Sequence, residues 1–249
     1  DRGFLFGDAI YEVIPYFNGS PFGLNEHLKR LESNLSALEI ANPYSHSEWA
    51  SLLTQLKQRN QLDCSTFYSY IQVTRGTSPE RQHASLPSPA PTVLIFCQAT
   101  QPIDHRNGHT AILREDNRHE LCHIKTTNLL ANTLHKKAAV QAGALEAILV
   151  KDSFITEGTS SNVFIVKNNQ LITPPLSEKI LPGITRLMVL NTARSLAFAY
   201  EERPITVKEF QSADEIWISS STKLISLMNQ QIRRHYCRLR RIIFLRPKT

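Results

Sequence analysis

Apolar and polar positions along the chain follow two periods, one of two residues and one near 3.6. Tyr11-Glu12-Val13-Ile14-Pro15-Tyr16-Phe17 predicts a strand, Asn18-Gly19 favours a tight hairpin turn, and Ser20-Pro21-Phe22 starts the return. Pro15 has no N–H for a ladder, which predicts an edge position or a bulge. Leu28, Leu31, Leu35 and Leu38 recur at helical spacing and predict a helix capped by Asn25 and ending near Glu39. Residues 67 to 74 and 91 to 97 predict further strands, the second with the near-continuous apolar run of a buried one.

Between residues 99 and 108 this periodicity lapses into Gln101-Pro102, Asp104 and Arg106-Asn107-Gly108, which is turn and linker chemistry. The organisation expected is a small domain over residues 1–98, a linker over 99–108 and a larger domain over 109–249. In the second half the pattern predicts a strand near 110 to 114, a helix from about 127 to 142 closed by Gly143, and strands at 147 to 151, 154 to 157, 162 to 166 and 215 to 218. A second long helix follows Gly183 and runs to about Tyr200, supported by Leu187, Val189, Leu190 and Ala193. Strands and helices in both halves make the fold class α+β.

With 41% hydrophobic and 20% charged residues in 249, the chain has the composition of a globular protein and can bury one large core or two modest ones. No apolar run reaches the roughly 18 to 20 residues of a membrane span, and Asp1-Arg2-Gly3-Phe4 lacks the plan of a signal peptide, so the expected location is cytoplasmic. Cys64, Cys97, Cys122 and Cys237 form no C-x-x-C pair; neither a zinc ribbon nor a disulfide framework is indicated, and no metal is expected. The net charge of +6 raises the question of nucleic-acid binding. Its source is local: Arg233, Arg234, Arg238, Arg240, Arg241, Arg246 and Lys248 occur in a tail without Asp or Glu, and the preceding chain is close to neutral.

Several segments can carry chemistry. Lys125, between Ile124 and Thr126-Thr127-Asn128, stands where an amine can project into a cleft, although a lysine taken alone is more readily a solvated or salt-bridged surface one. Thr156-Glu157-Gly158-Thr159-Ser160-Ser161-Asn162 is a strand that ends on a carboxylate and restarts after small hydroxyls. Such a carboxylate can keep a pyridine nitrogen protonated, or simply sit solvated in a turn. Leu181-Pro182-Gly183-Ile184-Thr185-Arg186 opens a helix whose free N–H groups favour a phosphate, or merely caps it. Ser219-Ser220-Ser221-Thr222 offers further hydroxyls. Arg30 falls about 120° from the leucine stripe of its helix, which by periodicity alone makes it solvated.

In this order the segments resemble the fold-type IV pyridoxal-phosphate aminotransferases, a family that includes D-amino acid aminotransferase, branched-chain aminotransferase and aminodeoxychorismate lyase. The resemblance runs from Asp1-Arg2-Gly3-Phe4-Leu5-Phe6-Gly7-Asp8 through Glu26-His27-Leu28-Lys29-Arg30-Leu31, Ile124-Lys125-Thr126-Thr127-Asn128 and Thr156 to Phe164, to the Leu181 and Ser219 segments. It implies a small N-terminal α/β domain and a larger β-barrel-like domain with helices. It further implies that Lys125 holds pyridoxal 5'-phosphate as a Schiff base and moves the substrate proton. Glu157 would face the pyridine nitrogen and Leu181 would support the ring. Arg30, Ile184, Thr185, Ser220 and Ser221 would form the phosphate cup, Arg30 being covered there by the large domain.

Within the family, Arg75-Gly76-Thr77-Ser78-Pro79-Glu80-Arg81-Gln82-His83 is similar to the D-amino acid aminotransferase loop that grips the substrate carboxylate, with one residue more. The similarity assigns substrate binding to Arg81, His83 and Tyr11, and it implies a homodimer, since in that family the loop serves the neighbouring subunit. The activity expected is transamination of a D-amino acid such as D-alanine with a 2-oxo acid such as 2-oxoglutarate. Aminodeoxychorismate lyase, which releases pyruvate, is the second reading and an L-branched-chain aminotransferase the third. From about residue 229 the family pattern gives way to the atypical basic tail. A tail-driven nucleic-acid binder on an inactive scaffold is the non-enzyme alternative.

Overall fold

The computed structural model describes residues 1–63, 66–84, 88–100 and 108–228. The basic tail and most of the expected linker lie outside these residues. The chain forms two compact units, one of Asp1–Pro102 with Ile124–Leu129, the other of Ile103–His123 with Leu130–Thr249. This differs from the division read along the sequence, because the lysine-bearing segment 124–129 groups with the first unit. Tyr11 N donates to Lys125 O at 3.0 Å and Thr127 N to Ala9 O at 3.1 Å, so the segment is tied to the first strand of that unit.

Unit 1 begins with α1 (Arg2–Phe6), β1 (Ala9–Phe17) and the two-residue β2 (Ser20–Pro21). Asn18 and Gly19 both have positive φ, 50° and 73°, the conformation their sequence predicts for a hairpin turn. Helices α2 (Leu24–Ala37) and α3 (His46–Arg59) follow, then β3 (Phe67–Thr74) and β4 (Thr92–Ala99). The antiparallel sheet has the order β2-β1-β3-β4. Only Tyr16 and Phe17 of β1 pair with β2 as strands, and Pro15, which has no N–H to give, accepts from Phe22 N at 2.8 Å just beyond them. One face of the sheet packs Ile10, Ile14, Phe67, Ile71 and Val73 against Leu28, Leu31 and Leu35 of α2 and Trp49 and Leu53 of α3.

The structure departs from the sequence pattern of this unit at three points. The cap of α2 is Gly23, with Asn25 inside the helix. Helix α3 went unread, although Ser45 and Glu48 form a reciprocal capping box at its start. β4 is an edge strand rather than a buried one: its residues alternate, and Leu94 and Phe96 are exposed because the helices cover only one face of the sheet.

Unit 2 opens with β5 (Ala111–Glu115), α4 (Leu130–Gln141) and β6 (Glu146–Lys151), a parallel pair of strands with its connecting helix. β7 (Phe154–Gly158) completes this three-stranded sheet. A second sheet, β10-β9-β8-β11-β12, is made of β8 (Asn162–Lys167), β9 (Gln170–Thr173), β10 (Tyr200–Glu202), β11 (Glu215–Ser220) and β12 (Leu224–Met228). Helices α5 (Ile184–Ser195) and α6 (Val207–Gln211) complete the unit. The second sheet is buried on both faces. Val163, Ile165, Ile216 and Ile218 meet Ile148 and Ile155 of the first sheet, whereas Phe164, Val166 and Trp217 meet Val189, Leu190 and Ala193 of α5. This two-sided burial explains the unbroken apolar runs at 163–166 and 216–218. Helix α4 starts three residues later than its pattern predicts, since residues 127–129 pair with unit 1, and α5 ends at Ser195, before the expected Tyr200.

Candidate active site

In unit 1, backbone pairing between residues 124–129 and β1 sets Lys125 beside Tyr11, with Nζ 4.1 Å from the centroid of the tyrosine ring. At that distance the ring face stabilises an ammonium. Tyr11 also stacks on Tyr70, and Tyr70 on Phe96, so an aromatic row lines the sheet face opposite the helices.

The next residue of β1, Glu12, points to the helical face and is wholly buried. Its oxygens accept from Arg30 Nε at 2.6 Å, Arg30 Nη2 at 2.9 Å and His27 Nδ1 at 2.8 Å. Burial alone would raise the Glu12 pKa, but Arg30 and His27 hold it well below the usual carboxylate range. The solvated position that periodicity suggested for Arg30 is therefore corrected, and the reason lies within unit 1: the helix face that carries His27 and Arg30 meets the charged side chain of β1. Arg81 and His83 are exposed and gather on the ring of Phe6, at 4.9 and 5.4 Å, whereas Tyr11 contacts Lys125 and Tyr70.

In unit 2, Glu157 lies near the end of β7 in a buried position. Arg118 Nη1 donates to its Oε1 at 2.5 Å, and Leu181 N and Asn162 Nδ2 donate to its Oε2 at 3.1 and 3.2 Å. Burial pushes the Glu157 pKa up to about 7 even though Arg118 and the Leu181 N–H oppose the shift. Asp116 holds Arg118 from the other side and also accepts from Thr156.

The residues assigned in unit 2 are linked through one side chain that the sequence did not single out. Asn162 donates to Glu157 and to Leu181 O, pairs across β8 and β11 with Ser219, and leaves no room for a Cβ at Gly183, where one would meet its Oδ1 at 2.0 Å. Gly183 is the N-cap of α5 and supplies no side-chain cap, so the first turn, with Ile184 and Thr185, is open to an external acceptor. Thr185 Oγ1 and Ser219 Oγ are buried without a hydrogen-bond partner. Ser220 Oγ accepts from Lys223 N, and Ser221 is half-buried in the same turn. Sequence reasoning also missed Glu146, fully buried and bonded to Thr159, Ser160 and Ser161.

These features fit pyridoxal phosphate. A phosphate suits an uncapped helix N-terminus with unpartnered hydroxyls beside it. A pyridinium N–H suits a buried carboxylate whose present partners do not hold it fully ionised. These groups suit a pyridoxal-phosphate enzyme. Residues 9–227 match the model of amino-transferase class IV, and the chain belongs to that family.

Among curated proteins, it is 40% identical to the D-alanine aminotransferase of Bacillus licheniformis over 223 residues, 89% of this chain and 78% of that one. It is 37% identical to the D-alanine aminotransferase of Staphylococcus aureus strain MSSA476 over 226 residues, 89% of this chain and 79% of the relative. Of solved structures, the Escherichia coli branched-chain amino acid aminotransferase superimposes with a TM-score of 0.87 at 21% identity, covering 98% of this chain and 86% of the other. The branched-chain aminotransferase from Thermoproteus uzoniensis with norvaline gives 0.88 at 23% identity, covering 98% and 86%. At these identities the structures speak for the fold alone.

Proposed function

We propose that the enzyme transaminates D-amino acids, D-alanine foremost, with a 2-oxo acid such as 2-oxoglutarate as acceptor. The observation that carries this reading is the 37 to 40% identity to D-alanine aminotransferases across 89% of the chain. Bound pyridoxal phosphate supplies the aldehyde that takes up the amino group and the ring that delocalises the electron pair left at Cα.

The rest falls to the chain's own residues. Lys125 would hold the cofactor through Nζ, and its amine would move the proton taken from the substrate Cα. The face of Tyr11 stabilises the Lys125 ammonium while it bears that proton. Glu157, held by Arg118 and Asn162, keeps the ring nitrogen protonated, and Leu181 supports the ring. Ile184 and Thr185 at the start of α5, with Ser220 and Ser221, take the phosphate. Arg30, oriented by its pair with Glu12, completes the phosphate cup. Arg81 and His83, with Tyr11, take the substrate α-carboxylate. The active form is a homodimer in which this loop serves the neighbouring subunit, and the protein works in the cytoplasm on small molecules.

The test is incubation of cofactor-loaded protein with D-alanine and 2-oxoglutarate, following pyruvate and the chirality of the glutamate formed. Pyruvate and D-glutamate are expected, with both lost in Lys125→Ala. Turnover of L-leucine but not D-alanine would sink the D-specific reading, and pyruvate from aminodeoxychorismate without an acceptor would put the lyase in its place. Mixing Lys125→Ala with Arg81→Ala subunits tests the dimer. Activity regained on mixing supports a loop that works across subunits.

A further inference from the structure

We propose that Arg2 and Phe6 are positioning residues for substrate recognition: together they hold residues 81 to 83 so that Arg81 and His83 form one preset fork for the substrate α-carboxylate. The inference rests on the reading of Arg81 and His83 given above and adds what fixes them.

The segment needs such a support. Arg81, Gln82 and His83 are exposed, lie in no helix or strand, and present long side chains whose rotamer freedom would have to be lost on each binding event. Arg2 is only 6% exposed, and each of its guanidinium nitrogens is used. Nη1 donates to Gln82 O at 2.7 Å, Nη2 to His83 O at 2.7 Å and Nε to Asp8 Oδ2 at 2.9 Å. The planar fork of the guanidinium thus clamps two successive carbonyls of the loop, which an ammonium could not do with the same geometry.

The clamp itself is anchored. Asp8 Oδ2 also accepts from Arg75 Nε at 2.8 Å, and Arg75 reaches Leu38 O and Glu39 O beyond the end of α2. Burial alone would raise the Asp8 carboxyl, but Arg75 and Arg2 hold it below the usual range, so the anchor stays charged at neutral pH. The Arg2 main chain is tied as well, its N donating to Gly76 O at 2.8 Å.

Phe6 completes the device. Arg2 Cζ and Arg81 Cζ each lie 4.9 Å from its ring centroid, and the His83 ring lies 5.4 Å away at a tilt of 43°. Two side chains that alternate with Gln82 along the loop therefore converge on one aromatic ring. Such a contact stabilises a guanidinium without consuming its hydrogen-bond donors, which stay available for a bidentate carboxylate.

The experiment compares Arg2→Lys, Phe6→Leu, Arg81→Ala and the doubles with Arg81→Ala in cofactor-loaded enzyme. Arg2→Lys and Phe6→Leu are each expected to raise the KM for D-alanine about tenfold with kcat within about twofold, the signature of weakened carboxylate binding. In the Arg81→Ala background each should add clearly less than it does alone, since only His83 is then left to be misplaced. The rate with alaninol, which has no carboxylate, should be unchanged by either substitution. If Arg81→Ala itself leaves the KM unaltered, the carboxylate reading falls. If Arg81→Ala raises it while both Arg2→Lys and Phe6→Leu leave it unchanged, lower kcat instead, or slow alaninol equally, the positioning role alone is overturned. Phe6→Leu keeps the test decisive should Arg2→Lys fail to fold.

Discussion

A carboxylate that faces a protonated ring nitrogen has to be ionised when the cofactor is present, and Glu157 sits where burial resists ionisation. Without the cofactor its pKa in the folded protein, about 7, stands above the ordinary 4.5. Its contribution to stability is fully present below the lower value and is lost as pH rises through the upper one, by about 3 kcal/mol. The melting temperature of cofactor-free protein should thus fall between about pH 5 and pH 8, and Glu157→Gln should flatten that slope. An unchanged slope in the variant would assign the titration to another group. Glu12 works in a separate window: its lowered pKa adds stability above the unfolded value that is lost only as pH falls below it. Lys125, Glu157 and Thr185 stand out in the sequence because short motifs carry them in order. Arg118 and Asn162 do not, because Arg118 meets Glu157 across 39 positions and Asn162 reaches Leu181 across 19. A lone arginine outside a motif carries no mark of such a partner.

At the scale of elements, the start of α5 is the part whose role follows most directly from its residues. Glycine is required at position 183 by space, for its φ of −66° suits any residue. Gly183→Ala would force Asn162 Oδ1 away from a Cβ that otherwise lies 2.0 Å from it, and Asn162 cannot move without loosening Glu157 and Leu181 O. The expected outcome is cofactor affinity weakened by about tenfold or more, or roughly 1.4 kcal/mol, measured by titrating cofactor-free protein. Affinity equal to that of the parent would mean that Asn162 is not the linchpin of this turn. The Gly183 helix start and the 11-to-22 hairpin could be read from sequence because each depends on local chemistry. The exposure of β4 could not, because the number of helices available to cover a sheet is a property of the whole unit; Leu94 and Phe96 look like core residues until only one face is seen to be packed.

At the scale of the molecule, each unit has its own core and its own fully buried tryptophan, Trp49 in unit 1 and Trp217 in unit 2. Replacing one by phenylalanine destabilises the unit that loses it and leaves the other residue reporting on the untouched unit. Denaturant titrations of cofactor-free Trp49→Phe and Trp217→Phe, followed by fluorescence, should give two distinct midpoints. Coincident midpoints would show one cooperative transition. The α+β class and the family could be recognised from the sequence, but the affiliation of residues 124–129 could not. Their bonds to Ala9 and Tyr11 leave no trace in the periodicity of either segment.

That affiliation has a topological consequence. The lysine segment is an excursion: the chain arrives from unit 2, lends six residues to unit 1 and goes back into α4. No single cut can release unit 1 intact. A protease nick anywhere between β4 and Lys125 leaves the lysine on the C-terminal fragment, while Tyr11 and the strand that hold it remain on the N-terminal one. Neither half alone then has a complete setting for the amine, and a split version of the enzyme can recover that setting only through reassembly of its fragments.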